Sequence, residues 1–94
     1  MRVDWLPQAR RNLIQEADYL AGKNPAAAHD MLQTIRSAVR LLAQQPGAGR
    51  PGRVPGTREL VIQHYPYLIP YRVRGDVLEV LRVFHTSRKP PEKW

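Results

Sequence analysis

Two apolar runs in the last third of the chain, residues 67–73 and 77–84, are rich in β-branched and aromatic side chains. The connection Arg74-Gly75-Asp76 separates them. A short connection that contains glycine, between two runs of this composition, is typical of a β-hairpin. The pattern therefore predicts a hairpin that leads directly into a histidine-bearing, basic terminal segment.

The first half of the chain has the spacing of two amphipathic helices. Apolar residues recur at intervals of three and four in the first helix at Leu6, Ala9, Leu13, Ala17 and Leu20, and in the second at Ala28, Met31, Leu32, Ile35, Val39 and Leu42. Pro7 suits the first turn of the first helix, and Gly22 is expected to end it in a left-handed conformation. Asn24 before Pro25 suits the N-cap of the second, and so short a connection makes the pair antiparallel.

The remaining segments complete an α+β chain. Residues 2–5 predict an opening strand, and residues 58–63 predict a strand before the hairpin. Residues 46–57 include seven glycines and prolines, and we expect an ordered loop there. The predicted order is β-α-α-β-β-β: a strand, a two-helix antiparallel hairpin and a three-stranded antiparallel meander. At 94 residues, we expect one domain spanning 1–94.

Two helices are too few to cover both faces of such a sheet. Alternation along the last strand places Val77, Glu79, Leu81 and Val83 on one face, and Leu78, Val80, Arg82 and Phe84 on the other. Tyr67 and Tyr71 share a face, as two core tyrosines would. The second sheet face is therefore expected to be partly open, concave and bordered by arginines, and it is the predicted place for a site.

The charge of the chain points to an anionic partner. Lys and Arg number 15 against 8 Asp and Glu, for a net charge of +7, and arginine supplies 12 of the cations. Residues 50–94 carry +5 of this excess. Such a surface attracts nucleic acid or an acidic protein, although a merely solvated basic surface is the simpler alternative.

Cysteine is absent, and neither a signal-peptide pattern nor an apolar run of membrane-spanning length is present. We therefore expect a cytoplasmic protein with no membrane partner. His29 and His64 make no metal-ligand spacing with carboxylates, so neither a metal nor another cofactor is predicted. The glycine-rich loop lacks the Lys-Ser/Thr pair of a nucleoside-phosphate site. The loop carries Arg50 and Arg53, and Arg58 follows it. These arginines either contact phosphates or are simply solvated.

His85 follows the predicted last strand, and histidine is the side chain best suited to exchange protons near neutral pH. Arg82 and Arg88 lie close enough in sequence to stabilise a charged transition state, which makes these three residues candidates for nuclease-like catalysis. A structural histidine at a strand end is the alternative. Trp94, beyond Pro90-Pro91, ends either a mobile tail or a strap folded over the sheet, and its ring could stack on a base.

The chain as a whole resembles the RelE/ParE superfamily of toxins from bacterial type II toxin-antitoxin modules. The resemblance is carried by residues 41–46 (LLAQQP), 49–51 (GRP), 56–61 (GTRELV), 71–73 (YRV) and 80–85 (VLRVFH). It implies a compact sheet with two N-terminal helices, growth arrest by the free toxin, and a cognate antitoxin that wraps it in a hetero-oligomer. Such modules are associated with plasmid stabilisation.

Members resembling RelE cut messenger RNA on the ribosome without a metal, whereas members resembling ParE inhibit DNA gyrase. In the nuclease pattern an arginine precedes the central Tyr-x-Val, and Leu68 stands at the matching position here. The resemblance therefore favours gyrase, with the messenger-RNA endoribonuclease as alternative and a nontoxic RNA-binding module as a third reading. His85, Arg82 and Arg88 are the catalytic candidates if the chain is a nuclease. The candidates for contact with a target or nucleic acid are Arg50, Arg53, Arg58, Arg72, Lys89, Lys93 and Trp94.

Overall fold

A computed structural model describes all 94 residues. Its helices are α1, Pro7–Ala21, and α2, Pro25–Gln44, followed by a 3₁₀ turn at Pro46–Ala48. Its strands are β1, Arg2–Trp5; β2, Arg50–Pro51; β3, Arg58–Val61; β4, Tyr67–Arg74; β5, Val77–Val80; and β6, Phe84–His85. The elements confirm the predicted α+β class and its order, with β2 as an added short strand inside the predicted loop.

The six strands form one sheet in the order β1-β5-β4-β3-β2, and β6 pairs with the start of β4. β1 runs parallel to β5, and the other pairs are antiparallel. Gly75 and Asp76 connect β4 to β5, with Arg74 opposite Val77. Gly75 has φ +59°, a left-handed conformation that glycine adopts without steric cost. The predicted hairpin and its turn are therefore confirmed.

Both helices contribute to the core together with one face of the sheet, which we call the inner face. Apolar side chains of α1, α2, β4 and β5 form one buried cluster that includes Ala9, Leu13, Met31, Ile35, Val39, Leu42, Ile69, Leu78 and Val80. Tyr67 and Tyr71 both belong to this cluster, as their spacing predicts. Asn24 caps α2, since its side chain accepts a hydrogen bond from the Ala27 amide at 3.1 Å.

The final strand differs from the prediction because it breaks after Val80. Residues 81–83 are not in a strand, and pairing resumes at Phe84 opposite Leu68. The break shifts the alternation, so Val83 joins the inner core and Phe84 lies on the opposite, outer face. The buried Asn12 side chain of α1 stabilises this break: its oxygen accepts from the Val83 amide at 3.3 Å and from Arg82 Nε at 2.8 Å.

Two smaller predictions were also wrong. Gly22 has φ −63°, a right-handed conformation, so α1 ends without a left-handed residue. The Asn24 amide instead donates to the Leu20 carbonyl at 2.7 Å, which turns the chain into α2. The strand predicted over 58–63 ends at Val61, and the following segment turns through His64, which has φ +70°.

The outer face of the sheet is partly covered by the C-terminal segment. The Trp94 ring meets the Phe84 ring edge-on, with centroids 5.3 Å apart, and the Trp94 indole N–H is buried without a hydrogen-bond partner. Leu68 lies beside Phe84 on this face and is only 2% exposed. The predicted alternatives for the C-terminal segment were a mobile tail and a strap folded over the sheet, and the structure shows the strap.

Candidate functional site

A cleft of about 760 Å³ lies between α1 and the end of the sheet where β4 begins and β6 ends. We call it the α1 cleft. It is lined by Gln15, Glu16, Tyr19, Leu20, Tyr65, Pro66, Tyr67, His85, Ser87 and Arg88. The cleft exists because the break at residues 81–83 redirects the chain, so that β6 brings His85 opposite Tyr67. Two of the three catalytic candidates, His85 and Arg88, therefore lie together beside α1.

Glu16 is the one carboxylate among the residues that line the cleft, and its side chain is largely buried. The Arg88 guanidinium is its only ion-pair partner, and the two are 3.9 Å apart, beyond hydrogen-bond distance. Tyr67 lies beside it: burial raises the pKa of Tyr67, the Glu16 carboxylate raises it further, and Arg88 lowers it. The tyrosine is consequently a neutral hydroxyl at physiological pH, and the neighbours of the Glu16 carboxylate are this hydroxyl and a loosely placed cation.

His85 is held in the cleft by two contacts. Its ring meets Tyr67 edge-on, with centroids 5.5 Å apart. Its Nδ1 lies 2.7 Å from the Ser87 hydroxyl and 3.2 Å from the Ser87 amide, which donates to it. Because the amide occupies Nδ1 as an acceptor, the neutral ring carries its proton on Nε2. That nitrogen has no hydrogen-bond partner within the protein.

Arg82 does not complete a catalytic set with these residues. Its guanidinium instead donates to Asn12, and so it belongs to the packing of α1 against the broken strand. Lys89 and Lys93 are exposed, and Trp94 lies on the outer face against Phe84. Arg72 is also on the outer face, where its Nε donates to Glu79 at 2.6 Å. This contact, with Arg74 as a second cation, lowers the pKa of Glu79 below its usual value.

The loop arginines are occupied by the protein itself. Arg50 and Arg53 flank the buried Glu59 carboxylate at 3.3 and 3.4 Å, and the Arg53 amide donates to the same carboxylate at 3.1 Å. Arg58 donates to the Gly49 carbonyl at 2.8 Å. The guanidinium groups of the predicted site thus lie at the loop, on the outer face and beside α1, and those at the loop stabilise its conformation.

Reasoning from the sequence missed Asn12 and Glu16, which define the α1 cleft and the strand break. Both are buried. Asn12 lies three residues after Ala9, and Glu16 lies three residues after Leu13 and four residues before Leu20, all in the apolar stripe of α1. Polar side chains at core positions of a helix were the available signal, because a buried polar group requires a partner or a function.

A second, shallower groove of about 450 Å³ runs between α2 and β3. We call it the α2–β3 groove. Ser37, Ala38, Leu41, Leu60, Val61 and Gln63 are among the residues that line it. β2 pairs only with Arg58 and Glu59, so the end of β3 is an open sheet edge. The Ile62 amide donates to the Tyr67 carbonyl. Because hydrogen-bonded and non-hydrogen-bonded pairs alternate along antiparallel strands, the backbone N–H and C=O of Val61 point outward at this edge.

Comparison with known proteins is consistent with this architecture. Residues 3–90 match the family model described as "ParE toxin of type II toxin-antitoxin system, parDE". The chain belongs to this toxin family. It is 42% identical to the protein Y4kP of Sinorhizobium fredii over 91 residues, covering 97% of this chain and 94% of that protein. It is 32% identical to toxin RelE2 of Caulobacter vibrioides over 87 residues, covering 93% of this chain and 97% of the relative.

A solved structure described as a chromosomal ParDE toxin-antitoxin system from P. aeruginosa has the same fold as this ParE-family toxin. The TM-score is 0.82 at 32% identity, over 90% of this chain and 95% of that one. The predicted RelE/ParE membership and fold are therefore confirmed. No helix of the toxin has the length and apolar character needed to cross a bilayer.

Proposed function

We propose that this ParE-family toxin arrests growth in the cytoplasm by binding DNA gyrase, without breaking a bond itself. The observation that carries the proposal is Leu68. It occupies the position at which the nuclease pattern of the superfamily has an arginine, and it is buried on the outer face beside Phe84 and the C-terminal strap. A phosphate has no cation to contact at this position, which favours a protein target over messenger RNA.

Exposed apolar side chains on α1 support the same target. Ile14 and Tyr19 are 60% and 64% exposed, although both are large and hydrophobic. Such side chains on a helix of a small protein mark a surface for another macromolecule. Tyr19 lines the α1 cleft together with His85 and Arg88 of the basic segment, and Ile14 lies earlier in α1. We propose that α1 and this segment together form the gyrase contact surface.

We propose the α2–β3 groove as the place where the cognate antitoxin binds. An extended antitoxin segment would add a strand at the open edge of β3 and place apolar side chains against Leu41 and Val61, which are both exposed. Acidic residues of the antitoxin would be attracted by the +7 charge of the toxin. The target and the antitoxin would then use different surfaces of the molecule.

The gyrase proposal is tested by supercoiling of relaxed plasmid with purified gyrase and toxin. Wild-type toxin is expected to inhibit, and the double variant Ile14→Ala/Tyr19→Ala to lose inhibition because it removes both exposed anchors from α1. Leu41→Ala is the matched control, since Leu41 is equally exposed on the other helix, and it should inhibit like wild type. Unchanged supercoiling at saturating wild-type toxin would rule the proposal out.

The antitoxin surface is tested by co-expression and affinity capture with the cognate antitoxin. Val61→Glu is expected to arrest growth even in the presence of antitoxin, because it places a charge at the open strand edge. The Ile14→Ala/Tyr19→Ala variant should still be captured by the antitoxin. If Val61→Glu is neutralised as efficiently as wild type, the groove is not the antitoxin site.

The ribosome-dependent endoribonuclease remains the second candidate, because one observation favours it. His85 and Arg88 share the α1 cleft, and Nε2 of His85 has no hydrogen-bond partner within the protein. Mapping transcript 5′ ends after induction distinguishes the two candidates. Codon-phased cleavage that disappears in His85→Ala would replace gyrase by messenger RNA as the target.

A further inference from the structure

The α1 cleft contains a carboxylate, Glu16, and a guanidinium, Arg88, that are only loosely paired with each other. Glu16 is largely buried and acceptor-only as a carboxylate, whereas Arg88 at 3.9 Å is 65% exposed at the rim. We propose that this cleft binds a guanine nucleotide, with Glu16 reading the base and Arg88 contacting the phosphate. The inference goes beyond inhibition of gyrase, since it concerns binding of a nucleotide to the toxin. Nucleotide binding is measured separately from growth arrest.

The buried carboxylate selects the base. Guanine has two adjacent N–H donors, at N1 and at its 2-amino group, which can bind both oxygens of one carboxylate. Adenine and cytosine each place a ring acceptor beside their amino group, so a carboxylate in the same position would face a lone pair. Glu16 interacts with the Tyr67 hydroxyl and has no hydrogen bond to Arg88. Because each carboxylate oxygen can accept two hydrogen bonds, both oxygens keep a lone pair for a ligand in the cleft.

The walls of the cleft are aromatic. Tyr19, Tyr65 and Tyr67 all line it, and aromatic side chains are the usual stacking surfaces for unpaired bases. Tyr67 is only 5% exposed, so Tyr19 and Tyr65 are the rings that a base can reach. Two of the three are fixed in place. The Tyr65 hydroxyl donates to Asp30 at 2.5 Å, and the Tyr67 ring is held between Glu16 and the edge of His85. Rigid rings lose little conformational entropy when a base stacks on them.

The rim of the cleft is basic, which suits a phosphate. Arg88 is free to leave Glu16 because the contact is long and exposed, and an arginine fork matches phosphate oxygens. Lys23 Nζ lies 4.7 Å from the centre of the Tyr19 ring, which lines the cleft. These cations also disfavour the other ligand that a carboxylate among tyrosines could attract, an arginine or lysine of a protein partner. A nucleotide, in contrast, brings both a donor edge and an anion.

Isothermal titration of the purified toxin with 5′-GMP and 5′-AMP tests the inference directly. We expect GMP to bind about tenfold more tightly than AMP, the usual discrimination from one bidentate base contact. Glu16→Gln should reduce this preference to near unity while AMP binding is kept. Arg88→Ala should weaken both nucleotides alike, and Arg50→Ala, a half-exposed arginine at the loop, is the matched control that should change neither.

Titration with a single-stranded tetranucleotide that contains one guanine shows whether the ligand of the cleft is a free nucleotide or a nucleic-acid strand. Tighter binding of the strand than of GMP, with the same loss in Glu16→Gln, identifies nucleic acid, and equal or weaker strand binding identifies the free nucleotide. Equal affinity for GMP and AMP, no binding of GMP at millimolar concentration, or an unchanged preference in Glu16→Gln would each overturn the inference. Binding of an arginine-bearing peptide at Glu16 in place of GMP would also overturn it.

Discussion

The two ends of this toxin each bury a carboxylate, and the difference between them separates structure from function. Glu59, at the loop end, is 2% exposed and is contacted by Arg50, Arg53 and the Arg53 amide within 3.4 Å. Glu16, at the α1 cleft, has a single cation at 3.9 Å. A buried acid that has all its partners is costly to unpair, so its contacts maintain the local fold. A loosely paired acid that borders an open cleft is available to a ligand. The arginines differ in the same way, since Arg50 and Arg53 are held by Glu59 whereas Arg88 is only loosely held by Glu16.

The largest expected loss of stability comes from Glu59→Gln. The amide keeps the shape but removes the charge that holds two guanidinium groups and a backbone amide. Since hydrogen bonds to charged groups are the strong ones, we expect a loss of about 2 to 3 kcal/mol in the free energy of unfolding. Urea unfolding followed by circular dichroism measures it. A loss below that of Glu16→Gln would contradict the comparison.

Gly49→Ala is expected to rank second, at the same end of the molecule. A Cβ at this position would lie 2.5 Å from the Tyr71 hydroxyl oxygen and 3.0 Å from the Glu59 carbonyl. That hydroxyl accepts from the Gly49 amide at 2.9 Å and donates to the Pro46 carbonyl at 2.7 Å, so it cannot shift freely. Overpacking of this kind costs about 1 to 3 kcal/mol.

Gly47→Ala is the control for that variant, because a Cβ there meets nothing within 4 Å. It should unfold at nearly the wild-type urea concentration. Equal midpoints for the Gly47 and Gly49 variants would show that the loop adapts, and would remove the close packing at Tyr71 as a source of stability.

Glu16→Gln should have a smaller effect than either. Its one ion pair is long and its partner is exposed, so we expect a change of less than about 1 kcal/mol in the free energy of unfolding. The same urea experiment measures it. A loss as large as that of Glu59→Gln would mean that Glu16 is structural, and the α1 cleft would lose its available acceptor.

The smallest expected effect is a dependence on acid pH at the outer face. The Arg72 hydrogen bond lowers the pKa of Glu79 from its ordinary 4.5, so the folded protein binds this proton less readily than the unfolded chain. The stabilisation is therefore present above about pH 4.5 and is lost as pH falls through the lowered pKa. The stability difference between wild type and Glu79→Gln should shrink over that range, and a difference that grows on acidification would contradict it.

Local patterns were sufficient to predict most of the fold. The helices have clear apolar spacing, Asn24-Pro25 marks the start of α2, and Gly75 marks the hairpin turn. Where the prediction was wrong, a distant partner decided the conformation. The break in the last strand depends on Asn12, some 70 residues away in the chain, and alternation within the strand alone could not indicate it.

The site was predicted less well, for a related reason. His85 and Arg88 were found because they are close in sequence, and the structure places them in one cleft. Arg50 and Arg53 were predicted either to contact phosphates or to be solvated, because they lie on the glycine-rich loop. Glu59 is their partner across the β2–β3 pair, and only the register of that pair brings them together.

The central claim is that loosely paired groups at the α1 cleft act on other molecules, whereas tightly paired groups at the loop maintain the fold. Induction of Arg88→Ala and Arg50→Ala toxins without antitoxin tests it most directly, with colony formation as the measurement and matched protein levels and melting temperatures as controls. We predict that cells with Arg88→Ala form colonies and that cells with Arg50→Ala arrest like wild type. Full arrest by Arg88→Ala together with loss of arrest by a folded Arg50→Ala would contradict the claim.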